Sequence, residues 1–108
     1  MHKFWIALSS AFLSALLAAP AIAQSGDAVA GKRLAETTCA ECHAILPGGK
    51  PRKDVGAPAF ADIAAMPSTT ALSIKVFLQT PHKSMPDLIL TQQEIDAAAA
   101  YILSVKQK

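Results

Sequence analysis

The sequence predicts an all-α fold, a small domain of three to four helices in which the first and last cross. Three observations carry that expectation. No stretch alternates apolar and polar residues for long, as a half-buried strand would. Apolar residues instead recur at helical spacing in several segments, and hydroxyl or acidic residues, or in one case a proline, stand where those segments begin.

The first helix starts at Ser25 or Asp27 as N-cap and runs from Ala28 to about Ala40. Gly31 lies inside it, at a cost of about 1 kcal/mol relative to Ala, so it asks for a close approach by another element. Residues 47–53, Pro-Gly-Gly-Lys-Pro-Arg-Lys, are dense in breakers and charge and read as an exposed loop. A short helix over Pro58–Ala65 follows, with Pro58 at its first position and Phe60, Ile63 and Ala64 at helical spacing. Ser68, Thr69 and Thr70 are N-cap candidates for a helix through Leu78, whose apolar face combines Leu72 with Val76 and Ile74 with Phe77 and Leu78. Pro81 ends it. The last helix has the clearest start, because Thr91-Gln92-Gln93-Glu94 is a capping box and Leu90 with Ile95 fits the accompanying hydrophobic staple. Ile95, Ala98, Ala99, Ile102 and Val105 form its stripe. The small residues Ala97 to Ala100 let another helix come near, so a crossing at Gly31 with Tyr101 laid against the junction explains the glycine.

Residues 1–23 read as a cleaved export signal: His2 and Lys3 make a basic start, Phe4 to Ala18 an apolar run, and Ala21-Ile22-Ala23 a small-x-small site before Gln24. The run is shorter than the ~20 residues a spanning helix needs. The expected product is therefore a domain of residues 24–108 that does not span a membrane, in the periplasm of a Gram-negative type of bacterium. Without Lys3 it carries nine Lys and Arg against eight Asp and Glu, which gives nucleic acid nothing to bind. Lys32, Arg33, Lys50, Arg52 and Lys53 crowd one half and Asp87, Glu94 and Asp96 the other, a pattern read first as solvated surface. Phe60, Phe77 and Tyr101 are its only aromatics. So thin a core in so small a domain points to a disulfide, metal or cofactor as support.

Cys39-Ala40-Glu41-Cys42-His43 supplies the candidate, because Cys-x-x-Cys-His is the spacing that ties a haem covalently to a chain. Two thiols three positions apart lie on one helical turn, and the adjacent imidazole becomes an axial ligand of the iron. A disulfide between Cys39 and Cys42 closes too short a loop to stabilise much. A zinc site lacks a second ligand pair at motif spacing, and a thioredoxin-like thiol couple lacks its strand and helix. For the sixth iron position the candidates are Met85, Met66 and His82. Met85 is best placed, in the loop Pro81-His82-Lys83-Ser84-Met85-Pro86, where prolines on both sides restrict the backbone that carries a weak thioether ligand.

With these motifs the stretch 24–108 resembles the class I cytochromes c, small monohaem electron carriers. The resemblance implies a cytochrome c fold wrapped around one covalently bound haem c, anchored by Cys39 and Cys42, with His43 and Met85 on the iron. It matches Gly31 and Tyr101 to the family's helix crossing, and Pro58 to the proline whose carbonyl accepts a hydrogen bond from the axial imidazole. Phe60, Phe77 and Pro86 are expected around the haem with Pro58. The chain departs from the family in carrying Ala35 where many members have an aromatic, and in keeping no Trp after residue 23. The function implied is single-electron transfer between periplasmic redox proteins, a dehydrogenase or reductase as donor and an oxidase or other acceptor, without enzymatic chemistry. Lys83 is the expected docking charge at the exposed haem edge. Competing readings are a haem that binds or senses a gas or reduces peroxide through a displaceable sixth ligand, and the cytochrome subunit of a periplasmic dehydrogenase.

Overall fold

A computed structural model describes residues 26–81 and 84–106. The expected export signal, His82 and Lys83 lie outside the described residues. Four helices follow one another: α1 (Ala28–Leu34), α2 (Phe60–Ala65), α3 (Ala71–Gln79) and α4 (Gln92–Ser104). Among the described residues there is no strand, only one isolated antiparallel bridge between Arg52 and Ala57. No helix among them is long and apolar enough to cross a membrane.

Asp27 caps α1 by accepting from the amides of Val29 and Ala30 at 2.9 and 3.3 Å. The helix continues past Leu34 as a π turn over Ala35–Cys39, in which the Ala40 amide reaches back five residues to the Ala35 carbonyl. The Thr37 hydroxyl donates to the Arg33 and Leu34 carbonyls at 3.2 and 3.1 Å, the kind of side-chain competition that loosens a regular ladder. One extra residue in the turn rotates everything after it by about 100° relative to a continuous helix, which re-aims the cysteines.

The helix expected from Pro58 begins two residues later. Pro58 stays outside the helix and Ala59 is extended, at φ −69° and ψ 148°. No side chain caps α2, and its first amide, on Phe60, donates instead to the Ala44 carbonyl at 2.9 Å. Thr70 caps α3 in a reciprocal box with Ser73, and Thr91 caps α4 in one with Glu94.

α4 is the centre of the molecule. Its stripe Ile95, Ala98, Ala99, Ile102 and Val105 is buried, with Ala97 and Tyr101 beside it. α1 lies across α4, and the crossing is as tight as a helix pair allows. A Cβ placed on Gly31 would lie 2.0 Å from the Ala97 carbonyl oxygen and 2.8 Å from the Tyr101 Cβ. α3 meets α4 through Ile74 and through Lys75, whose Nζ sits 2.7 Å from Asp96. That ion pair, with Gln92, holds the Asp96 carboxyl below the usual carboxylate range. The apolar face expected for α3 is only partly used: Ile74 is buried and Leu78 half-buried, while Leu72, Val76 and Phe77 turn outward and are more than half exposed.

Candidate functional site

Beyond the π turn the chain makes one more turn, closed by the amides of Cys42 and His43 on the Cys39 carbonyl at 3.1 and 2.9 Å. The turn sets Cys39 and Cys42 on neighbouring points, both half-buried and both free thiols. Burial pushes the Cys39 thiol above its ordinary 9.0, so it keeps its hydrogen at neutral pH.

His43 is fixed by two contacts. Its Nδ1 lies 2.7 Å from the Pro58 carbonyl oxygen, and because a carbonyl only accepts, Nδ1 carries a hydrogen, which in the neutral ring puts the lone pair on Nε2. The Phe60 ring stands against the imidazole with centroids 5.4 Å apart and a 47° tilt. Phe60 in turn meets Tyr101 edge-on at 6.2 Å. The Tyr101 hydroxyl donates to the Ile45 carbonyl at 2.9 Å. Burial, with the Glu36 carboxylate adding to it, pushes this phenol above its ordinary 10.0 and keeps it a donor at neutral pH.

A second brace comes from the loop. Its turn closes through the Gly56 amide on the Arg52 carbonyl, with Gly56 at φ 66°, a conformation that favours glycine. The Arg52 guanidinium grips Asp54 through Nε and Nη2 at 3.3 and 2.7 Å, and its Nη1 donates to the Glu41 carbonyl between the two cysteines. Sequence reasoning counted Arg52 only as surface charge. Its acceptor is a backbone carbonyl, which no residue pattern marks.

The structure thus gathers Cys39, Cys42, His43, Pro58, Phe60, Tyr101 and Gly31 around the end of α1. Met85 and Pro86 stand in a different place, the walls of a groove of about 410 Å³ shared with Leu78, Pro81, Leu88 and Ile95. Phe77 lines a shallow hollow with Leu72 and Val76, and Met66 ends α2 about half exposed. Two free thiols on one turn, an imidazole whose Nε2 is the lone-pair nitrogen, and outward apolar side chains on α3 fit an iron porphyrin. They do not make a bare-ion site: among the described residues no three His, Cys, Asp or Glu groups gather to hold one.

Residues 28–106 match the family model of cytochrome c. A cytochrome c-552 of Bradyrhizobium diazoefficiens is 34% identical over 84 residues, which cover 78% of this chain and 80% of that protein. No solved structure matches the chain. Because the family match takes in nearly every described residue and Cys39, Cys42 and His43 inside it carry the Cys-x-x-Cys-His spacing, the chain belongs to the cytochrome c family, electron-transfer proteins whose cofactor is a covalently bound haem c.

Proposed function

We propose that this chain is a periplasmic carrier of single electrons, its haem anchored by Cys39 and Cys42 and its iron set between His43 and Met85, with no substrate chemistry of its own. The observation that carries the reading is the 2.7 Å contact of His43 Nδ1 with Pro58, which leaves Nε2 as the nitrogen able to bind iron. When bound, the haem supplies an iron that gains and loses one electron without a bond being made or broken elsewhere. The chain's residues hold that iron still. The Nδ1–H bond fixes the ring and raises the basicity of Nε2. Pro81 and Pro86 restrict the loop that carries the Met85 thioether, and Leu78, Leu88 and Ile95 give its open groove an apolar side beside Gln79, Thr80 and Asp87. A soft neutral sulfur in apolar surroundings favours the reduced state and raises the potential.

Residues 1–23 act as a cleaved export signal in this reading, and residues 24–108 form the working domain. Its partners are a dehydrogenase or reductase that donates and an oxidase or other protein that accepts. Lys83, two residues from Met85, steers acidic partners to the haem edge. The test is carbon monoxide added to the reduced, haem-loaded protein. The absorption spectrum is expected to stay unchanged in the natural chain and to change in Met85→Ala, where the sixth position opens. A natural chain that binds carbon monoxide as readily as the variant overturns the closed site and favours a gas-binding haem.

A further inference from the structure

We infer that Tyr101 is a positioning residue for the axial imidazole: by holding the Ile45 carbonyl it makes the helix crossing set the hydrogen bond of His43, and through that bond the reduction potential. The inference deepens the proposed function and rests on His43 as the iron's ligand.

Three consecutive residues are pinned by three different groups. His43 is held through Nδ1 by the Pro58 carbonyl at 2.7 Å. Ala44 is held through its carbonyl by the Phe60 amide at 2.9 Å. Ile45 is held through its carbonyl by the Tyr101 hydroxyl at 2.9 Å, across 56 positions of sequence. The first two pins both come from the stretch 58–60, so they fix the imidazole relative to α2. The third is a hydrogen bond from α4 to the segment itself, beside the apolar packing of Ile45 in the core that α4 centres. Tyr101 is buried, and it starts from the α1–α4 crossing, its Cβ 2.8 Å from where a Gly31 side chain would begin. Its ring also stands edge-on against Phe60, which faces the imidazole. Hydroxyl and ring therefore reach His43 by separate routes, one through backbone and one through Phe60.

The hydroxyl route has a definite electrical consequence. A short Nδ1–H bond to a carbonyl pushes electron density toward Nε2, which stabilises the oxidised iron. Without the Tyr101 hydroxyl the buried Ile45 carbonyl loses its donor and the segment 43–45 shifts to find another, which lengthens the Pro58 bond. Density at Nε2 falls, and the reduced state is favoured.

The test is Tyr101→Phe in the haem-loaded protein, which removes one oxygen and keeps the ring. Its midpoint potential is expected to rise by about threefold in the oxidised-to-reduced equilibrium, roughly 28 mV at 59 mV per tenfold. Proton exchange at His43 Nδ1, followed by NMR, is expected to quicken. Ile102→Val, a buried α4 change that leaves the hydroxyl in place, is the control: it lowers thermal stability without moving the potential. An unchanged potential in Tyr101→Phe, or an equal shift in Ile102→Val, overturns the positioning role. Absence of iron-shifted imidazole resonances in the natural protein overturns the His43 ligand and this inference with it, so the two failures are told apart by which sample shows them.

Discussion

Replacing Cys39 and Cys42 together by Ala is expected to leave no haem attached to the chain after extraction with acidified organic solvent, where the natural protein keeps all of it. The reason is the turn that carries them. Both thiols are free and half-buried, and burial raises Cys39, which so keeps the hydrogen that net addition across a double bond consumes. Folding should suffer as well. Among the described residues, nearly half of the buried core is alanine, Ala35, Ala59, Ala64, Ala97, Ala98 and Ala99, and its buried aromatics are Phe60 and Tyr101. A haem bound without thioethers stabilises only by mass action, so the melting temperature of the double variant becomes dependent on haem concentration. Mass spectrometry after extraction reads the first effect and melting at several haem concentrations the second. Haem retained by the double variant would falsify covalent attachment at this turn.

Gly31→Ala has the largest expected effect on the protein scaffold. The new methyl would meet the Ala97 carbonyl oxygen at 2.0 Å, and that oxygen is backbone in the middle of α4. Two helices have to move apart by more than an ångström, or α1 has to bend. The substitution gains about 1 kcal/mol of helix propensity, but overpacking typically costs 1–3 kcal/mol and here the partner cannot yield. With the overpacking cost at the upper end of that range, a net loss of about 2 kcal/mol follows, which for a domain of this size lowers the melting temperature by roughly 10 °C. Thermal unfolding of the haem-loaded variant checks it, and a melting point within a degree or two of the natural chain means that the crossing is looser than described.

The ends of the fold were legible and the middle was less so. Asp27, Thr70 and Thr91 announce helix starts because a capping side chain acts on amides two or three residues away. The α4 stripe and the demand of Gly31 for a close neighbour are likewise local patterns with one structural solution. The π turn at Ala35–Cys39 leaves no such mark: the Thr37 hydroxyl bonds helix carbonyls beside it, but threonines make the same bonds in regular helices. The late start of α2 escaped for a related reason. Proline at position 58 suits a helix start, yet its carbonyl is taken by His43, and the first helical amide, on Phe60, is capped by the carbonyl of Ala44, 16 positions before it. At the site, the pentapeptide could be read directly because haem attachment needs fixed residues at fixed spacing. The bracing by Arg52 and Tyr101 could not, because both reach backbone carbonyls that any residue could offer.

The iron proposed to lie between His43 and Met85 has a spectral signature: in the far red, the oxidised, haem-loaded protein shows a weak band that arises from iron bound to methionine sulfur. The band is expected in the natural chain and in Met66→Ala, and absent in Met85→Ala. A band that survives in Met85→Ala, or that is missing from the natural chain, rules out Met85 as the ligand.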